Sequence, residues 1–349
     1  MNPQMGGAEV FTREVLKRCV AAGHEVTLFA ASFKGSKTNE TDDGVNIIRN
    51  GGKYSVYRKA KDYYRKHFSK EHFDTVVDEI NTEPFMTPKF VKNGEKIFAL
   101  IHQLAREYWF YETPFPISYI GYYILEKRWL KNYKTIPTIT VSESSRKDLA
   151  DLGFDKIFKV GEGLNFRPLE KVPPKEKHPV VVFAGRLTKA KRPDHAIKAF
   201  EIVKRRIPDA ELWMIGNGYF RERLNKRAFR GVEFFDNVTT DERRDLIKKA
   251  WLLVNPSVRE GFGLNIVEAN ALAVPCVAYD VPGLRDAINH KETGLLVEPG
   301  NIDALAERII QLLTDESLRV RLSEKALEYS RDFSWDRVAD DFLNIITAA

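Results

Sequence analysis

Residues 179–206 read PVVVFAGRLTKAKRPDHAIKAFEIVKRR, and the change of period inside this stretch decides the fold class. Residues 180–184 form an unbroken apolar run stopped by Gly185, the pattern of a parallel strand buried on both faces. From residue 194 to 206 the apolar positions return at helical spacing, with Ala196, Ile197, Phe200 and Val203 on one face. The same alternation continues downstream. Strands are expected at 211–215, 252–255 and 274–279, and helices at 241–250, from Leu264 onward and at 304–313. Strands that alternate with helices imply an α/β fold with a doubly wound parallel sheet.

The first half alternates too, with a helix at 9–22 and strands at 25–30, 75–80, 96–101 and 138–141. Its opening, Met1-Asn2-Pro3-Gln4-Met5-Gly6-Gly7, runs straight into that helix. A Rossmann-like half starts with a strand before its first glycine-rich turn, so a first strand is missing and a truncated start is expected. Residues 167–179 carry Pro168, Pro173, Pro174 and Pro179 among several lysines, the composition of a linker. The expected organisation is a Rossmann-like domain over 1–166, a linker over 167–179 and a second Rossmann-like domain over 180–330. A last helix within 331–349 is expected to cross back to the first domain. Ligands of such sheets bind at the carboxyl ends of the strands, here in a cleft faced by both domains.

The 349 residues suffice for two domains, and 43% hydrophobic with 11% aromatic content describes a globular chain. No apolar run reaches the roughly 18 residues of a membrane span, and no secretory signal opens the chain. Cys19 and Cys276 suggest no disulfide framework, which fits a cytoplasmic setting. The net charge of +6 favours an anionic partner. Anionic lipid and a phosphorylated small molecule both suit it; nucleic acid would call for a recognition motif, and none is visible.

Four places in the chain could carry chemistry. After the 180–184 strand, Gly185, Arg186 and Lys191 put a guanidinium and an ammonium at a strand's carboxyl end, suited to a phosphate oxyanion. A lone basic pair is equally what a solvated loop carries. After the 252–255 strand comes REGFGLNIVEANA, residues 259–271. Its Gly261 and Gly263 free the backbone, and a helix starting near Leu264 offers amides to an anion. Glu260 lies beside that anion, and Glu268, about one turn into the helix, could grip a vicinal diol or simply face the helix dipole. Gly6-Gly7 opens the first helix, and His102 ends the 96–101 strand as either a ligand contact or a structural hydrogen-bonder. Histidine and cysteine spacing fits no metal site, and no Asp-x-Asp, Walker loop, Gly-x-Gly-x-x-Gly or Gly-x-Ser-x-Gly occurs.

Together these residues resemble glycosyltransferase family 4, the retaining group 1 enzymes of the GT-B fold. The resemblance rests on Val182-Phe183-Ala184-Gly185-Arg186-Leu187 with Lys191, Pro208 to Gly218, Glu260-Gly261-Phe262-Gly263-Leu264 with Glu268-Ala269, and Thr293 to Val297. Gly6-Gly7-Ala8-Glu9, Val141-Ser142-Glu143-Ser144 and Glu162-Gly163 extend it into the first half. It implies transfer of a sugar from a nucleoside diphosphate sugar, of UDP or GDP, with retained configuration, no cofactor and no required metal. Arg186 and Lys191 would hold the diphosphate, Glu260 the donor sugar and Glu268 the ribose. Gly185 and the amides of Gly263, Leu264 and Asn265 would line the donor, Gly6 and Gly7 would face the same anion, and His102 would approach the transferred sugar. The alternatives are a GT-B sugar-nucleotide epimerase and a non-catalytic sugar-nucleotide-binding protein.

The chain departs from the pattern at Gly161, Asn165 and Asp236, where proline, aspartate and glycine are usual. Lysines and arginines mix with tyrosines over 53–72, and residues 108–133 are rich in aromatics. Basic residues beside interfacial aromatics suit peripheral contact with an anionic inner membrane face, and the resemblance implies a glycan or lipid-linked acceptor.

Overall fold

The computed structural model describes residues 6–92 and 94–348. They divide into two compact units, one built from residues up to 106, 120–163 and 334 onward, the other from 107–119 and 164–333.

In the first unit the helix Gly7–Ala21 comes first. The strand expected ahead of it would involve Met1 to Met5, which lie outside the described residues. The strands β1 (Thr27–Ala30), β2 (Asn39–Asp42) and β3 (Val45–Arg49) form one sheet in the order β1-β3-β2. Strands β2 and β3 are a hairpin whose two turn residues, Asp43 and Gly44, have φ of 50° and 81°. That is the Asp-Gly signature of a tight primed turn, and the hydrophobic pattern alone missed it. The strands β4 (Thr75–Glu79), β5 (Lys96–Leu100), β6 (Thr138–Thr140) and β7 (Ile157–Lys159) form a second, parallel sheet in chain order. Among the described residues no strand joins the two sheets. The final helix, Trp335–Ala348, belongs to this unit. The Phe11 ring meets Trp335 and Phe342 edge-on, and Arg18 pairs with Asp336 at 2.6 Å. A Cβ on Gly163 would lie 2.5 Å from the Trp335 ring, so only glycine lets the chain pass there.

The second unit holds one six-stranded parallel sheet. Its strands are β8 (Val180–Ala184), β9 (Glu211–Ile215), β10 (Val232–Phe235), β11 (Leu252–Asn255), β12 (Cys276–Tyr279) and β13 (Gly294–Val297), in the order β10-β9-β8-β11-β12-β13. Every residue of β8, β11 and β12 is buried, which is why these strands read as continuous apolar runs. The edge strand β10 is only partly buried and its apolar run is broken by Glu233, whereas the short edge strand β13 is buried at three of its four positions.

The proline-rich stretch 167–179 is packed onto this unit. Lys175 Nζ donates to the carbonyls of Lys248 and Ala273 at 3.0 and 2.9 Å, meeting the C-terminal ends of helices Thr240–Lys249 and Leu264–Ala271. Leu169 N–H donates to Ala271 and Glu176 N–H to Lys249. Carbonyls at helix ends thus satisfy polar groups of the segment, and the change of unit falls earlier, after Gly163. Residues 107–119 belong to the second unit although they lie in the first half of the sequence.

Candidate functional site

Strands β8 and β11 are neighbours, so the loops at their carboxyl ends lie side by side. Lys191, in the short turn Lys189–Lys191, donates to both carboxylate oxygens of Glu260. Ser257 Oγ donates to Glu260 at 2.7 Å, and Ser257 N–H is itself held by Asn255 Oδ1 at 3.0 Å. Burial alone would lower the Lys191 pKa, but Glu260 and the phenol of Tyr108 hold it above the ordinary lysine value. Lys191 is therefore a fixed cation through the neutral range. Arg186 is exposed and makes no ion pair among the described residues, although it is close enough to Lys191 for the two cations to repel.

The glycines around this loop have a steric reason. A Cβ on Gly216 would lie 2.3 Å from the Gly185 carbonyl oxygen, and one on Gly218 2.3 Å from that of Leu187. Gly185 N–H donates to Ile215 and Leu187 N–H to Asn217. The β8 and β9 loops are thus zipped backbone to backbone, and Gly216 also has φ of 128°.

Gly263 sits in the left-handed region, with φ of 87°, as the N-cap of the helix Leu264–Ala271. The side chain of Asn265 donates to the Ala184 carbonyl at 2.9 Å and accepts from Asn255 at 3.2 Å, pinning the helix start to the ends of β8 and β11. First-turn amides of a helix are a general anion seat, and Leu264 and Asn265 provide them here. Glu268 accepts from Arg243 Nη1 at 2.6 Å, so its carboxylate is paired in this state. Gly185, Arg186, Lys191, Glu260, Gly263, Leu264, Asn265 and Glu268 are thus gathered on one unit.

Gly6, Gly7 and His102 belong to the other. Gly6 caps the helix Gly7–Ala21, and its N–H donates to Glu9 at 2.9 Å. His102 is buried at the end of β5, its ring 4.9 Å from that of Phe11 and its Nε2 3.6 Å from Glu79 Oε1. Thr12 donates to the other oxygen of Glu79 at 2.8 Å, and Ser145 to the His102 carbonyl at 3.0 Å. Burial would lower the His102 pKa, but Glu79, Glu162 and Glu9 outweigh it and raise it. Glu162 is buried, and its Oε2 has no hydrogen-bond partner among the described residues. Burial pushes its pKa up to about 8 despite the opposing pull of His102.

A measurable pH dependence follows. Between pH 4.5 and about 8 the folded protein keeps a proton on Glu162 that the unfolded chain has released, so stability falls as pH rises through this window. The raised His102 acts in the same direction above pH 6.5. The Glu162 contribution is at most about 1.4 kcal/mol per pH unit. Denaturant titrations across this range should show a shallower decline in Glu162→Gln, with the variant the more stable at pH 8. Identical slopes in the two proteins would show that Glu162 titrates normally.

The sequence patterns missed Tyr108, Glu107, Glu112, Ser257 and Gly283. Glu107 accepts from the buried Arg259 at 2.8 Å, and Glu112 accepts from Ala190 N–H at 2.8 Å, partners 152 and 78 positions away in the chain and invisible to local pattern. Gly283 carried a readable signal, the Pro282-Gly283 pair ahead of a helix. Among the described residues no three His, Cys, Asp or Glu side chains are placed to hold a metal ion.

Residues 167–329 match the family described as glycosyl transferases group 1, and residues 5–164 match glycosyltransferase family 4. The chain is 35% identical to the poly(glycerol-phosphate) alpha-glucosyltransferase of Bacillus subtilis over 46% of its own length and 24% of the relative's. It is 34% identical to the D-inositol 3-phosphate glycosyltransferase of Corynebacterium glutamicum over 46% of its length and 41% of the relative's. The matches thus span less than half the length of either relative. Sucrose-phosphate synthase of Thermosynechococcus elongatus has a similar fold, with a TM-score of 0.80 over 99% of this chain and 94% of that one at 19% identity. HepE of Anabaena, solved in complex with UDP-glucose, has a TM-score of 0.77 over 100% and 98% of the two chains at 16% identity.

Proposed function

Because the chain belongs to the group 1 glycosyltransferases of the GT-B fold, we propose that it transfers a sugar from a nucleoside diphosphate sugar to an acceptor, with retained anomeric configuration and no required metal. The observation that carries this reading is the meeting of the β8 and β11 loops, where Lys191 is fixed against Glu260 beside a helix N-terminus. Departure of the nucleotide concentrates charge on the diphosphate. Lys191, Arg186 and the amides at Gly263, Leu264 and Asn265 would neutralise it without a metal. Glu260 would hold the donor sugar and Glu268 the ribose, giving up Arg243 in exchange. The bond from the anomeric carbon to the β-phosphate oxygen breaks, its electrons leaving with the phosphate. The acceptor oxygen bonds to that carbon on the same face and passes its proton to the departing oxygen. His102 is assigned to the transferred sugar, and Gly6 and Gly7 to the diphosphate.

The names of the two relatives favour a phosphorylated acceptor, and the charge of +6 suits one. The test is nucleoside diphosphate release from a panel of UDP- and GDP-sugars, with and without EDTA. Release that needs an acceptor and survives chelation supports the proposal. Epimerised donor without release would point to an epimerase, and binding without turnover to a sugar-nucleotide-binding protein.

A second part of the proposal places the protein on the cytoplasmic face of an anionic membrane. No described helix is long and apolar enough to cross one. Phe115, Ile117, Tyr119, Ile120, Tyr123 and Ile124 are exposed, followed in the chain by exposed Lys127, Arg128 and Lys131. That sequence of apolar and basic groups suits an interfacial segment. In the basic 53–72 segment Tyr54 is exposed, but the other tyrosines contribute less, because Tyr57 and Tyr63 pack on Phe85 and Phe29 and Tyr64 is buried. Co-sedimentation with phosphatidylglycerol vesicles at low salt should be strong, and weak with phosphatidylcholine. A Phe115→Ser/Tyr123→Ser variant should lose most of it, and equal binding by variant and parent sinks this part.

A further inference from the structure

The helix Tyr108–Glu112 supplies no group assigned to donor or acceptor, yet it is tied to the loops that hold the donor. Glu112 Oε1 accepts from Ala190 N–H at 2.8 Å, and Glu112 Oε2 accepts from the hydroxyl of Tyr219 at 2.8 Å. The same hydroxyl accepts from Lys189 N–H at 3.0 Å. One carboxylate thus holds two successive amides of the Lys189–Lys191 turn, the first through Tyr219 and the second directly. The Ala190 carbonyl in turn accepts from Val258 N–H at 3.0 Å, two residues before Glu260. Ala190 is therefore the peptide through which Glu112 reaches the β11 loop. Neighbouring ties reinforce the seat: Tyr111 stacks under Arg192, and Glu107 pairs with Arg259.

We infer that Glu112 is a positioning residue for the donor, setting the backbone of the Lys189–Lys191 turn so that Lys191 meets the diphosphate. The inference rests on the donor reading of Lys191. A turn of three residues, followed by Arg192 at φ of 49°, has few internal hydrogen bonds of its own. Without Glu112 its amides turn to water and Lys191 samples more positions, at a cost in donor affinity. Once the diphosphate is bound it reorders the turn, so the bond-breaking step at saturation is spared. The effect belongs in KM and in Kd, not in kcat.

The test measures binding of UDP, GDP and ADP by calorimetry, then steady-state kinetics with the sugar donor of whichever binds. Glu112→Ala should weaken nucleoside diphosphate binding roughly tenfold, as loss of a charge-assisted hydrogen bond predicts, with kcat within about threefold of the parent. Glu112→Gln, which keeps an acceptor for Ala190 N–H, should recover most of the loss. Tyr219→Phe should weaken binding by a smaller factor, and Glu112→Ala/Tyr219→Phe should be no worse than Glu112→Ala, because both act through one chain of bonds. Unchanged affinity in Glu112→Ala, or a loss confined to kcat, overturns the inference while leaving the donor site standing. If the unaltered protein binds none of the three nucleotides, the donor reading falls and this inference with it. Should Glu112→Ala not fold, Tyr219→Phe decides alone, since that side chain is largely exposed and its loss leaves the core untouched.

Discussion

Replacing Lys191 with alanine should lower kcat/KM by a factor on the order of 10² to 10³, about 2.7–4 kcal/mol of lost transition-state stabilisation. The leaving diphosphate gains charge as the sugar departs, and a fixed ammonium counts for more there than in the ground state. Lys191 meets the requirement of being charged and immobile, because Glu260 and Tyr108 keep it protonated and hydrogen-bonded. The variant also leaves Glu260 without its counter-ion, so the carboxylate would repel an incoming diphosphate. Glu260→Gln separates the two effects. It relieves the repulsion and frees Lys191, so UDP or GDP should bind at least as tightly as before, while turnover falls for want of the sugar contact. Kinetics beside calorimetry on the two variants check this. Full turnover in Lys191→Ala would remove the diphosphate role, and weakened nucleotide binding in Glu260→Gln would place Glu260 on the anion.

What could be read from the chain depended on how each signal is generated. Buried central strands such as β8 and β11 announce themselves, because both faces are covered and apolar residues fill every position. Edge strand β10 does not, since partial exposure admits Glu233, and β13 is only four residues long, too short for a period to show. The candidate donor residues were legible because each stands a few positions after a strand or at a helix start. Their partners were not. That Glu260 meets Lys191 while Glu268 meets Arg243 depends on strand order, which places β11 beside β8. The tyrosines at 57–64 read as interfacial from composition, and only side-chain direction shows that they pack inward. Residues 107–119 are the sharpest case: position in the chain assigns them to the first half, and their hydrogen bonds assign them to the second unit.

Gly283→Ala should be nearly as damaging as loss of Lys191, although Gly283 touches no substrate in the proposed reaction. Its φ of 84° already lies where an L-residue pays on the order of 1–2 kcal/mol. The decisive term is contact. A Cβ at this position would lie 2.2 Å from the Glu260 carbonyl oxygen and 2.8 Å from the Glu260 Cβ, and Glu260 N–H is bonded back to Pro282 at 3.0 Å. Neither backbone can yield alone, so the β11 loop and the segment after β12 must separate, taking Glu260 away from Lys191 and Ser257. Displacements near 1 Å at reacting groups cost about 10² in rate, and that is the expected fall in kcat/KM. Gly300→Ala supplies the control, because Gly300 has φ of 81° but open space where its Cβ would stand. It should lose the backbone term in stability and keep its turnover, whereas Gly283→Ala loses both. Thermal melts and donor turnover on the two variants decide the matter: if Gly283→Ala retains activity within about threefold, the β11 loop is not braced from behind and Glu260 is held by Lys191 and Ser257 alone.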